Sequence, residues 1–146
     1  MHRIFVQPKF SVGKDRLWSF MAGIKDYPKI IPFCQRVEIK HELKAGGQWS
    51  DWSTILWVPL KINHDIVEVQ APNRLRYKIK TFFGTELEQK LVLEGNDEES
   101  QAQVEFTIDL KPRLLDFFLG KLVEKRNREM MDGTIKNVRR LTSENT

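Results

Sequence analysis

One cysteine, Cys34, stands in a chain of 146 residues, so neither an intramolecular disulfide framework nor a cysteine-based metal cage can form. Long apolar runs are missing as well. No stretch approaches the roughly 20 residues of a membrane span. The opening Met1-His2-Arg3-Ile4-Phe5-Val6-Gln7-Pro8 has no continuous apolar core of the kind a signal peptide needs. There is no glycine-rich phosphate loop, no G-x-S-x-G elbow, no H-E-x-x-H pair and no Cys-x-x-Cys, which argues against phosphoryl transfer and metal catalysis. The expectation is a soluble protein of a reducing cytoplasm, with no metal, no cofactor and no catalytic group marked by motif.

What is present describes an ordinary globular chain, 40% hydrophobic and 30% charged, read as one domain over 1–146. The net charge of +4 is concentrated at one end. From residue 111 onward nine Lys or Arg face five acids, so this segment carries the whole excess. A basic helix can meet RNA or an anionic membrane surface, and interspersed signs equally describe a solvated outer face. DNA is not an expected partner.

Leu114, Leu115, Phe118, Leu119, Leu122 and Val123 recur at three- and four-residue steps, which predicts a long helix over 112–141 entered at Pro112. Upstream, 3–10 reads as a strand, and Leu17, Trp18, Phe20 and Met21 mark a short helix. A second short helical segment over 24–30 is broken by Pro28 and closed by Pro32. From Phe33 the period becomes two. Strands are predicted from 33 to 42, from 48 to 58, over 60–70 and 74–82, and then over 85–94 and 102–110. Ala45-Gly46-Gly47, Ala71-Pro72-Asn73, Phe83-Gly84 and 95–100 are the turns. Pro59 predicts a bulge or break near Val58.

An antiparallel sheet of about seven strands tends to curl, and one helix covers only part of its concave face. The uncovered part is a cavity, expected to be mostly apolar with a few polar groups.

The order of elements resembles the helix-grip fold of the START-like (SRPBCC) superfamily. The segment Asp26-Tyr27-Pro28-Lys29-Ile30-Ile31-Pro32-Phe33-Cys34 resembles the one that opens the first long strand in the coenzyme-Q-binding and polyketide cyclase/dehydrase branch. Tyr27, Pro28, Pro32, Phe33 and Cys34 match that pattern, while Ile30 replaces a phenylalanine and Asp26 lies directly before Tyr27. The Phe83-Gly84 turn and the 114–131 stretch resemble the family's turn and closing helix loosely. The resemblance implies an α+β fold: a curved antiparallel sheet of about seven strands wrapped around a long C-terminal helix, with two short helices after strand 1. It also implies an enclosed hydrophobic small molecule such as a quinone, lipid or polyketide, or, in one member class, ribosome association. Where the family usually places an apolar residue and a phenylalanine, this chain has Arg126 and Thr134. Either the helix bends near Asp132-Gly133, or its Met131, Ile135 and Val138 side meets a partner.

Eight residues are candidates for the ligand site. His64, in phase with Ile62 and Ile66, is placed to point inward and exchange a proton, or to be a satisfied structural histidine. Gln89 sits in phase with Leu87 and Leu91, and Tyr77 with Leu75 and Ile79. Tyr27 packs the short helix and can turn its hydroxyl to a ligand. Trp52 and Trp57 can stack on a planar ring. Phe118 and Leu122 are the helix's contribution. Cys34 reads as a small buried hydrophobe, and Asp51 with Ser53 carries no triad signal because sequence places no base beside them. Three functions follow: carriage of a hydrophobic molecule, a ribosome- or membrane-surface interaction through the basic helix, and a cyclase or dehydratase moving protons through His64 or Tyr77.

Overall fold

The computed structural model describes residues 1–81 and 84–144. Its sheet follows the period-two stretches. β1 (His2–Val6) and β2 (Lys9–Phe10) flank Pro8, which has no N–H to give a ladder, and both pair antiparallel with the last strand. What reads in sequence as one strand is therefore two. β3 (Cys34–Ile39), β4 (Gln48–Ser53), β5 (Leu60–Gln70), β6 (Arg74–Lys80), β7 (Glu86–Gly95) and β8 (Ser100–Asp109) complete the antiparallel order β1-β8-β7-β6-β5-β4-β3. Phe82, at the end of the strand predicted over 74–82, and Phe83 of the Phe83-Gly84 turn lie outside the described residues.

The short helices α1 (Lys14–Ala22) and α2 (Tyr27–Ile30), linked by a 3-10 turn over Ile24–Asp26, follow β2. Too short to persist alone, they are held by burying Leu17, Ile24, Tyr27 and Ile30. α3 (Arg113–Glu144) runs for 32 residues without interruption, about 48 Å at 1.5 Å per residue. The resulting fold is the α+β helix grip.

Two expectations about α3 are corrected. The helix continues through Gly133. A Cβ there would sit 2.4 Å from Pro32 Cγ, so glycine answers a close approach to the loop before β3. The apolar stripe from Leu114 to Leu122 also does not close the cavity. His2 on β1 reaches Asp116 with Nε2 (2.7 Å) and Glu124 with Nδ1 (3.1 Å), and a Cβ on Gly120 would lie 2.5 Å from the imidazole. Residues 116, 120 and 124 share one face by four-residue spacing. That face is fixed against the sheet edge, so Leu114, Phe117 and Phe118 turn outward, 68%, 82% and 70% exposed. The stripe that faces inward begins at Val123 and includes Asn127, Met131, Thr134 and Val138. Among the described residues no helix is long and apolar enough to cross a membrane.

Candidate functional site: a cavity between sheet and helix

Between the inner face of the sheet and α3 lies a cavity of about 550 Å³. One side is predominantly apolar: Ile79, Leu87, Leu91, Val104 and Phe106 project from β6, β7 and β8, faced by Val123, Met130 and Ile135 of α3, with Gln89, Asn127 and Thr134 as its polar members. The opposite side, under β4, β5 and α2, gathers the polar groups. β4 turns Trp49, Asp51 and Ser53 inward by its period of two, and β5 does the same with Ile62 and His64.

Trp49 pairs with His64 and Asp51 with Ile62 in the β4–β5 register, which makes Asp51 and His64 diagonal neighbours. His64 Nε2 lies 3.1 Å from Asp51 Oδ1. The Trp49 indole stacks flat on the imidazole, centroids 3.6 Å apart and planes 6° off parallel, and Tyr77 meets the same ring edge-on at 6.0 Å. Three contacts thus fix the ring. With Nε2–H donating to the carboxylate, Nδ1 is left as an acceptor, and among the described residues it has no hydrogen-bond partner. Both side chains are nearly buried, and a carboxylate in such surroundings requires a partner.

The Tyr27 hydroxyl donates to the Met21 carbonyl and stands 3.5 Å from the Tyr77 hydroxyl. Burial pushes the Tyr27 phenol up to about 12 from 10.0. Burial first, and the neighbouring Tyr27 second, raises Tyr77 well above 10.0. Cys34 is driven up to about 12 from 9.0, chiefly by burial and then by the negative charge of Asp51. At neutral pH all three are protonated. Cys34 is therefore no nucleophile, as thiolate is the reactive form.

Tyr27, His64, Tyr77 and Gln89 line the cavity, with Gln89 directly opposite Tyr77 across β6 and β7. The other four candidates stand elsewhere. Trp52 follows Asp51 by one residue and so faces the outer side, where Arg36 lies 3.7 Å over its ring and Lys61 5.3 Å away. Trp57 is not in a strand, because β4 ends at Ser53. The predicted strand over 48–58 gives way to a 54–59 loop in which Trp57 adopts φ 67° and is 63% exposed. Phe118 points outward, and Leu122 is half-buried beside the inward stripe without joining the cavity wall.

Several site residues escaped the sequence reading. Trp49 and Asp51 carried a signal, the in-phase Trp49-Asp51-Ser53 triplet, masked by the large apolar groups on both faces of the same stretch. Asn127 and Thr134 stand four and eleven residues after Val123, yet both are polar; each ties its side chain to the backbone carbonyl four residues earlier, Val123 and Met130 respectively. Arg126 is positioned by contacts distant in sequence. Its Nε donates to the Ile55 carbonyl at 2.6 Å, and its guanidinium lies 4.1 Å over Phe33 and 4.6 Å over Trp57. It holds the 54–59 loop, whose Ile55 and Leu56 form part of the cavity wall. Among the described residues no cluster of His, Cys, Asp and Glu has the arrangement of a metal site.

No family model matches the chain. No curated protein matches it either. Solved structures do. A START superfamily protein from Mycobacterium smegmatis superposes with a TM-score of 0.79 at 14% identity, over 100% of both chains. The protein TTHA0849 from Thermus thermophilus gives 0.80 at 14% identity over 95% of each chain. The Zhui aromatase/cyclase from Streptomyces sp. R1128 gives 0.73 at 14% identity over 96% of this chain and 95% of its own. At this identity the shared property is the fold, which is START-like.

Proposed function

We propose that this chain binds and carries a hydrophobic small molecule, an isoprenoid quinone, a lipid or a polyketide-like chain, between the sheet and α3. The observation that carries the reading is the asymmetry of the cavity. One wall is predominantly apolar, and the other offers one fixed imidazole–carboxylate pair and a tyrosine pair. Such a space suits an apolar body with a single polar head, and its volume lies in the range of small-molecule sites. The reading takes residues 1–146 as one ligand-binding domain of the cytoplasm.

A second reading, a cyclase or dehydratase, is favoured by the same Asp51–His64 pair, since a positioned imidazole is the usual agent of proton transfer. The aromatase/cyclase neighbour lends it support by analogy of fold alone. Against it stand the tyrosines, whose hydroxyls are engaged with each other and with Met21 and hold their protons tightly. Carriage therefore ranks first.

The test is mass spectrometry of the organic-solvent extract from protein purified out of its native host, beside an equally purified unrelated protein. A stoichiometric apolar molecule bearing a carbonyl or hydroxyl, found only in the test sample, is the expected result. Replacing the pair together, Asp51→Leu with His64→Leu, removes carboxylate and imidazole at once and so avoids stranding either one in the interior. That variant should stay folded and lose its preference for the polar-headed cargo. An empty extract together with no binding of a fluorescent fatty acid would remove the carrier reading.

A further inference from the structure

The cavity wall continues outward into apolar groups that stand exposed. Leu56 lines the cavity, and the next two residues, Trp57 and Val58, are 63% and 54% exposed. Leu110 also lines it, and four to eight residues later come the exposed Leu114, Phe117 and Phe118, the last two in edge-to-face contact at 5.2 Å. Arg126, bonded to Ile55 and stacked on Trp57, ties the loop to the middle of α3. The exposed groups of the loop and those of α3 thus each adjoin residues that line the cavity.

Leu114, Phe117, Phe118, Lys121 and Lys125 follow one another at helical spacing and are all exposed, so the outward face of α3 is apolar at its first turns and cationic just beyond. The acids nearby are engaged. Asp116 and Glu124 are held by His2, Glu124 also by Arg128, and Glu129 by Arg126. Arg113, Lys121 and Lys125 have no ion-pair partner among the described residues. Aromatic and aliphatic groups at a tip, with free cations behind them, are the composition that settles at the boundary of an anionic bilayer.

We infer that the outward face of α3 at Leu114, Phe117 and Phe118 docks on an anionic lipid surface, with Arg113, Lys121 and Lys125 against the headgroups. A second copy of the chain fits this face less well, because a two-fold contact would bring like charges together. Nucleic acid would use the lysines and leave the phenylalanines unexplained. The inference rests on the carrier reading and extends it: cargo passes between bilayer and cavity across this apolar face without entering bulk water.

The test is co-sedimentation of the full chain with phosphatidylcholine vesicles prepared with and without phosphatidylglycerol. The expected result is binding to the anionic vesicles, weakened by salt and weakened about tenfold or more by Phe117→Ser with Phe118→Ser. Lys121→Glu with Lys125→Glu should remove the preference for phosphatidylglycerol. All four side chains are exposed, so these variants are expected to fold, and retained binding of a soluble fluorescent fatty acid without vesicles checks that directly. No binding to anionic vesicles, binding unchanged by the phenylalanine variant, or a dimer in solution that this variant dissolves would each overturn the proposal. A wild-type chain that binds vesicles but no fatty acid would keep the docking surface and count against the carrier reading alone.

Discussion

Tyr27 and Tyr77 are the two tyrosines of the chain, and both are buried against the cavity. A phenol loses its proton less readily where its anion would be stripped of water. Because the folded values lie above the unfolded 10.0, the contribution to stability is intact below that value and is lost as pH rises toward about 12. Cys34 adds to the same loss from 9.0 upward. An alkaline titration followed by phenolate absorbance should therefore show no ionisation near pH 10, then a single cooperative rise that coincides with loss of the folded circular dichroism signal. A gradual rise centred at 10 in the folded protein would mean that the tyrosines are exposed. At this scale, sequence phase worked where strands were regular. Tyr77, Gln89 and His64 lie in phase with Leu and Ile neighbours and do face the cavity. Phase failed at Trp52 and Trp57, where large apolar groups crowd both faces of β4 and the chain leaves the sheet at Ser53. A tryptophan there is satisfied by cations on the outside, Arg36 and Lys61 for Trp52 and Arg126 for Trp57.

At the scale of the element, the extent of α3 was legible and its orientation was not. Periodicity reports that a helix has an apolar side, but which side meets the sheet is decided by contacts distant in sequence. Here those contacts are His2 on Asp116 and Glu124, made possible by Gly120, and Asn137 Nδ2 donating to the Ile30 carbonyl at 2.7 Å. Gly133 belongs to the same set. In a free helix Gly133→Ala would stabilise by about 1 kcal/mol. Against Pro32 the added methyl has no room, and overpacking of this kind costs about 1–3 kcal/mol. The single variant should therefore lower the urea midpoint. Pro32→Ala removes the obstructing ring atoms, so adding it should turn the effect of Gly133→Ala from destabilising to stabilising, as a double-mutant cycle would show. Additive effects of the two substitutions would mean that the helix and the loop before β3 do not meet at this point.

At the scale of the whole molecule, the cavity itself was foreseen, because an extensive sheet and one helix leave space between them whatever their details. How its borders are tied together was not, since that depends on a loop, a helix and a turn assembled from three parts of the chain. Thr85, in the β6–β7 connection, accepts from the Lys111 N–H at 3.1 Å and donates to the Lys111 carbonyl at 3.2 Å, which fixes the approach to α3. On the other side Arg126 joins α3 to the 54–59 loop through the bond to Ile55 and stacks on Phe33 and Trp57. A hydrogen bond from a charged donor contributes about 1.5–3 kcal/mol. Removing it should raise the population of the open loop at least about tenfold. For Arg126→Ala, stopped-flow measurements with a fluorescent fatty acid should therefore show uptake and release accelerated by similar factors, with the dissociation constant little changed. Arg126→Lys keeps the charge but neither the planar stack nor the fork of donors, so it should resemble the alanine variant more than the native protein. If only release were faster, Arg126 would be acting as a ligand contact and the loop would not be the barrier. If neither rate moved, exchange would take place on another side of the cavity.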